Sequence, residues 1–241
     1  MLNGIKNSAK KIFSVFGLNF TKNQRYDAWT LKVMKRTLKS TSNCVDVGSH
    51  KGEVLREMRT LAPEGKHFAF EPIPDLFANL KQRYNGNTTI YNLALSDKEG
   101  TSTFQHVVSK PAYSGMKQRS YDHKPTINEI EVKTQTLDAI IPQGTPIDLI
   151  KIDVEGAELQ VLKGARSVLR NLQPIVIFEH GLGASDHYGT TPEDVYGLLV
   201  EECGLKISLL PDYLNQRNTL SLSQFKDQFY SASNYYFIAH P

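Results

Sequence analysis

The sequence predicts an α/β protein, a mostly parallel sheet with helices on both faces. Three observations carry this expectation. Short apolar runs alternate with segments of helical spacing along most of the chain, the pattern of repeated β-α-β units. An early run, Cys44 to Val47, leads into a glycine turn that opens a helix. A later run, Ile147 to Ile152, is the length of a strand buried on both faces and ends in the acids Asp153, Glu155 and Glu158. Behind those acids, Ala157, Val161, Leu162 and Ala165 fall on one helical stripe. Carboxylates at the C-terminal end of a buried strand lie where open α/β sheets place their chemistry.

The elements follow in order. The opening MLNGIKNSAKKIFSVFGLNF reads as an amphipathic helix presenting Ile5, Ile12, Phe13 and Phe16. Its apolar part is too short and broken for a signal peptide. A helix from about Tyr26 to Lys39 precedes strand Asn43–Val47, helix Glu53–Leu61 and strand His67–Phe70. Helix Pro74–Tyr84 and strand Thr89–Leu93 come next. The alternation then stops. Strand-like Ser102–Val108 and Glu129–Thr136 flank a polar stretch, which predicts a β-hairpin arm or lid over about 102–136. Strand Leu149–Asp153, helix Ala157–Leu172, strand Ile175–Phe178, helix Pro192–Cys203 and strand Leu205–Leu209 resume it. Strand Asn234–Ala239 closes the chain, with no recognisable helix between Asp212 and Ser233, so a hairpin-like antiparallel end is expected.

Composition narrows the class. The 241 residues are 40% hydrophobic and 22% charged, as in an ordinary globular chain. They fit one large domain over 41–241, preceded by a basic helical extension over 1–40. That extension holds nine Lys or Arg against the single acid Asp27, so it carries +8 while the remainder carries −5. No run approaches the roughly 18 apolar residues of a membrane span. Cys44 and Cys203 make neither a disulfide framework nor a zinc site, and a reducing cytoplasm is the expected compartment.

The motif CVDVGSHKGE, with Glu71 ending the next strand, points to an adenosine-containing ligand. An acid at that offset accepts hydrogen bonds from ribose hydroxyls. Dinucleotide sites need G-x-G-x-x-G, yet here the pattern is Gly48-x-x-x-Gly52, with His50 where the middle glycine would stand. S-adenosylmethionine, which has no pyrophosphate, fits better than a nicotinamide dinucleotide, and Asp46 is placed to reach its ammonium.

VDVGSHKGE, FEPIP, NLALSDKEG, TLDAI and above all IDLIKIDVEGAELQVLKGA resemble the FkbM family of S-adenosylmethionine-dependent methyltransferases. The likeness covers roughly 43–180. It implies the class I methyltransferase fold, a Rossmann-like seven-stranded sheet with its last strand antiparallel, and O-methylation of sugars, polyketides and related metabolites. It also implies that Asp46, Gly48, Ser49 and Gly52 surround the methionine end of the cofactor. By the same resemblance Glu71 holds the ribose, Pro72 flanks the adenine, and Asn92 to Ala94 line the adenine pocket. Asp153 is implied near the transferring methyl, with Glu155 on the same edge.

Methylating an alcohol needs in-line positioning and a base. Asp153, Glu155, Glu179 and His180 are the catalytic candidates, the last two because PIVIF should lie beside the Asp153 strand. Asp153, Glu179 and His180 are also a possible divalent-metal set, although a metal-free reaction is the expectation. Tyr113, Arg119 and Tyr121, with Ser114, Lys117 and His123, are candidate acceptor contacts from the lid, and the loop His180 to Thr191 could close over the site. A small-molecule or glycan acceptor is expected. Nucleic acid is not, because DVEG is acidic where a polyanion would lie. RNA methylation and cofactor binding without turnover are the rival functions.

Overall fold

The computed structural model describes residues 21–107, 114–117 and 126–241. The expected helix over 1–20 and the candidates Tyr113, Arg119, Tyr121 and His123 lie outside the described residues.

The chain enters through α1 (Lys22–Thr37), started by a capping box between Thr21 and Gln24. Then come β1 (Cys44–Val47), α2 (Glu53–Leu61), β2 (His67–Phe70), α3 (Pro74–Arg83) and β3 (Thr88–Tyr91). A short β4 (Ala94–Leu95) leads to β5 (Gly100–Val107), β6 (Ile127–Gln135) and α4 (Leu137–Ile140). After β7 (Leu149–Ile152) come α5 (Glu158–Lys163), α6 (Arg166–Leu172), β8 (Ile175–Glu179) and α7 (Pro192–Tyr196), which runs on as a π-helical turn over Gly197–Glu202. The chain ends with β9 (Lys206–Ser208), α8 (Leu210–Leu214), α9 (Leu222–Tyr230) and β10 (Tyr236–His240).

Seven strands make the main sheet in the order β3-β2-β1-β7-β8-β10-β9. Neighbours pair in parallel except β10, which is antiparallel to both β8 and β9. This is the Rossmann-like class I methyltransferase sheet. One correction concerns its closing strands. Residues 212–233 are not a plain hairpin connection, because α8 and α9 cross there, and Ser221 and Gln224 form a capping box for α9. The second correction is that the helix expected over 157–172 is two helices, broken at Gly164 and Ala165.

Side-chain alternation divides the sheet into two apolar faces. Cys44, Leu149, Ile177 and Ile238 pack with Val33 and Met34 of α1, Met58 of α2 and Leu210 of α8. Val47, Ile152, Phe178 and Phe237 pack on the other side with Leu162 of α5, Leu169 of α6 and Phe225 of α9. Helix α1 therefore lies against the sheet, its Tyr26, Val33 and Met34 buried, rather than extending from the body. Among the described residues no helix is long and apolar enough to cross a membrane.

The expected hairpin is present. β5 and β6 pair antiparallel from Gly100 opposite Thr134 to Val107 opposite Ile127, and β4 joins β6 in parallel to make a second, three-stranded sheet. Phe104, Ala94 and Val132 bury this sheet against Ile73 at the head of α3, so the hairpin stands over the carboxyl edge of β1 and β2.

Candidate active site

The glycine turn after β1 is shaped by what passes beside it. Gly48 sits at φ +80, and a Cβ there would fall 2.0 Å from the Asp153 carbonyl oxygen. Only glycine combines that backbone conformation with so close an approach. The amides of Gly48 and Ser49 both donate to the Phe70 carbonyl at 3.0 Å, tying the turn to the end of β2. Ser49 is buried and its hydroxyl donates to the Asp46 carbonyl at 2.9 Å, while Gly52 caps α2. Asp46 lies behind the turn, buried, with Oδ2 lacking a hydrogen-bond partner. Burial pushes its carboxyl up to about 6 despite the nearby Lys151 ammonium.

Glu71, the residue expected at the ribose, is held by its neighbours. Its Oε2 accepts from the His50 amide at 2.7 Å and its Oε1 from the Ile73 amide at 2.9 Å, so the carboxylate is fixed at both oxygens. Burial raises it to about 7, against the pull of those two bonds. Asn92 does not reach the cleft wall. Its side-chain amide donates to the Glu71 and Pro72 carbonyls, both at 3.0 Å, and so holds the turn in which Glu71 sits. A polar residue at a strand end serves the backbone first.

The cleft encloses about 580 Å³, part of it open to solvent. One end is an apolar slot between Phe70, Leu93, Ala94 and Leu95 below and Phe104 and Met116 of the hairpin above, with Pro72 and Ile73 beside Glu71. The other end is acidic, with Asp153 and Glu155 on its wall.

That acidic end is built by sheet register. Ile152 pairs with Phe178, which brings Asp153 level with Glu179 on the next strand. Asp153, Glu155 and Glu179 offer oxygens that all lie within 4.8 Å of one another, a spacing that could hold a metal ion. His180 does not join them, which corrects its expected place among the catalytic and metal-binding residues. It follows Glu179 directly, so the period-two alternation of the strand turns it to the opposite face. There it is buried, stacked on Phe225 and Phe229, with Nδ1 3.1 Å from the Ser185 hydroxyl, and burial depresses its pKa to about 4.

Asp153 also meets two residues that the sequence reading passed over. Its Oδ2 accepts from Lys151 Nζ at 3.1 Å and from the Tyr236 hydroxyl at 2.5 Å. Burial alone would raise the Asp153 carboxyl, but the Lys151 charge and these bonds outweigh it and hold the group below the usual carboxylate range. A lysine inside the apolar run IDLIKID was the signal available for Lys151.

The rest of DVEGAE shapes the turn. Glu155 adopts φ +58, and a Cβ on Gly156 (φ +108) would fall 2.5 Å from the Ala184 carbonyl, so the turn packs on the loop after β8. Glu158 is buried and folds back to accept from the Val154 and Gly156 amides at 3.1 and 3.2 Å, a turn-holding role. Residues 114–117 close the same corner. Lys117 gives two bonds there, from its amide to the Tyr188 hydroxyl at 2.8 Å and from its ammonium to the His187 carbonyl at 3.1 Å.

Residues 46–207 match the methyltransferase FkbM domain family. The chain belongs to that family. Among curated relatives of this FkbM methyltransferase domain, the hexuronic acid methyltransferase AglP of Haloferax volcanii is 31% identical over 159 residues, 65% of this chain and 60% of that protein. Methyltransferase sdnD of Sordaria araneosa is 30% identical, covering 53% of this chain and 61% of its own length. The 2-O-methyltransferase NoeI of Sinorhizobium fredii is 26% identical, over 52% of this chain and 58% of its own. The chain thus spans about three fifths of each of these relatives. In fold it is similar to the crystal structure of methyltransferase FkbM from Methylobacillus flagellatus KT, with a TM-score of 0.53 at 17% identity, over 84% of this chain and 44% of that one.

Proposed function

We propose that the chain is an S-adenosylmethionine-dependent O-methyltransferase whose acceptor is a hydroxyl of a sugar, a glycan or a secondary metabolite. The observation that carries this is the polarity of one cleft, with a fixed carboxylate beside an apolar slot at one end and Asp153 and Glu155 at the other, Glu179 clustered beside them. Glu71 has the geometry to accept the ribose hydroxyls, and the slot between Phe70, Leu93–Leu95 and Phe104 suits an adenine ring. The acidic end favours a sulfonium cation. Family membership supports the same reading, and the names of AglP and NoeI support a sugar hydroxyl or a related group as acceptor.

The cofactor supplies an electrophilic methyl group on a positively charged sulfur. This chain's residues do the rest. The glycine turn and Asp46 behind it would hold the methionine portion, and Asp153 would stand as a fixed anion near the transfer point. Because Asp153 is held below the ordinary carboxylate range, it is a weak base. Glu155 and Glu179, on the same edge, are the groups we assign to receive the proton of the acceptor hydroxyl. Phe104, Met116 and the Lys117–Tyr188 contact exclude water from the roof of the cleft. The acidic wall disfavours a polyanionic nucleic acid as acceptor.

The test is transfer of labelled methyl from S-adenosylmethionine to a panel of hydroxylated acceptors, including uronic acids and oligosaccharides, together with calorimetry of S-adenosylhomocysteine. Labelled acceptor and saturable binding are the expected results. Failure to bind S-adenosylhomocysteine would overturn the proposal.

A further inference from the structure

We propose that Lys151 is a positioning residue of the transfer reaction, acting with Tyr236 as an internal cation that orients Asp153 and keeps it an anion facing the cleft. This rests on the methyltransferase reading above and deepens it.

Lys151 is 4% exposed, in a strand whose other members, Leu149, Ile150 and Ile152, are all buried. A lysine so placed is costly unless paired and hydrogen-bonded. Its Nζ donates to Asp153 Oδ2 and to the Tyr236 hydroxyl, both at 3.1 Å, and stands 4.7 Å from the centre of the Tyr236 ring. The Tyr236 hydroxyl donates in turn to the same Oδ2. The three groups close a triangle, and rotating the carboxylate would break two of its sides. Both bonds fall on Oδ2, which leaves Oδ1 outside the triangle. Tyr236 is itself fixed, stacked on Tyr26 of α1 at 5.1 Å and paired opposite Glu179 in the sheet.

The surroundings show why a cation is needed. Asp27 of α1, Asp46 of β1 and Glu158 of its own turn all bring negative charge to Asp153, Glu155 lies within 4.8 Å, and the Glu179 side chain hydrogen-bonds it. His50, from the turn before α2, is a poor counter-charge because burial lowers its pKa. The field of Lys151 reaches Asp27, Asp46 and Asp153 alike. Carboxylates gathered this closely either take up protons or recruit a cation. Here the ammonium provides that charge from within the strand, at Oδ2.

Two probes read the charge at Asp153 without knowledge of the acceptor. Sinefungin carries an amine where S-adenosylmethionine has its methylated sulfur, and S-adenosylhomocysteine is neutral there. Calorimetry from pH 5.5 to 8 should show wild-type protein preferring sinefungin by a ratio that stays flat across the range. In Lys151→Met the ratio should collapse as pH falls towards 5.5, its midpoint brought up into the measured range, and recover at pH 8. Tyr236→Phe should show the same displacement to a smaller extent, and it reports on the triangle if the methionine variant fails to fold. If both variants keep the wild-type ratio at every pH, weakening the two ligands equally or not at all, Lys151 is merely structural and the proposal is overturned. A wild-type ratio of one also overturns it. Wild-type protein that binds neither probe would bring down the cofactor reading itself.

Discussion

Cofactor binding should release a proton, and Glu71 should be its source. In the unliganded protein Glu71 sits near pKa 7 because it is buried, whereas ribose hydroxyls donating to it would favour the ionised form. Below that value the carboxyl must lose its proton before the ligand can use it. Returning the group from about 7 to its ordinary 4.5 corresponds to roughly 3 to 4 kcal/mol of coupling, at about 1.4 kcal/mol per unit. Between pH 8 and pH 6 the protonated fraction of Glu71 rises steeply, so S-adenosylhomocysteine should bind about tenfold more weakly at pH 6. Calorimetry at pH 6 in buffers of different ionisation enthalpy should count close to one proton released per ligand. Glu71→Gln should remove both the pH dependence and the proton. It should also weaken binding at pH 8 by about a hundredfold, because charge-assisted bonds to two hydroxyls are lost and an amide cannot accept from both His50 and Ile73. Equal affinity at pH 6 and 8 in the wild type, or an unchanged proton count in the variant, would refute the assignment of Glu71 to the ribose. Without ligand the sign is opposite. The folded protein holds a proton on Glu71 that the unfolded chain gives up above 4.5, so this group's contribution to stability falls as pH rises towards 7.

Asp153→Asn should lower the rate of methyl transfer by about a hundredfold or more, measured as S-adenosylhomocysteine release, and an undiminished rate would remove Asp153 from the reaction. Gly156→Ala should destabilise the fold by at least about 2 kcal/mol in urea titration at an unchanged m-value, because its Cβ meets the Ala184 carbonyl and its φ is left-handed. Exhaustive EDTA treatment should leave turnover intact, since Lys151 already supplies the cation at Asp153, and a loss restored by magnesium would reassign the three carboxylates to a metal.

Much of the fold was legible because its central strands are apolar throughout. CVDV, HFAF and LIKI are each buried at every position, and such runs between helical segments leave few alternatives. What escaped was short or tertiary in origin. The two crossing helices before β10 are five and nine residues long, and Pro211 in the first turn of α8 and the Ser221–Gln224 cap of α9 were their local signals. The break after α5 depends on Gly164, whose missing Cβ makes room for the Ser96 carbonyl, a contact no periodicity reveals. At the site, Glu71 and the acids of DVEG were readable from their places at strand ends. His180 was misplaced because adjacency in sequence was taken for adjacency in space, although alternation along IVIFEH separates it from Glu179. Lys151 was passed over as one polar letter in an apolar run, when a charge in a fully buried strand signals a buried partner.

The roof and floor of the cleft belong to separate sheets. The floor belongs to the seven-stranded sheet, the roof to the β5–β6 hairpin, and β4 ties the two through Ala94 opposite Thr134 and Leu95 opposite Gln135. For protein engineering this marks a natural splice. Replacing the hairpin between Gly100 and Thr134 exchanges the roof of the cleft, Phe104 and Met116 included, while Ala94 and Leu95 of its floor stay where they are. Chimeras cut at those two points would combine different cleft roofs with a constant sheet floor.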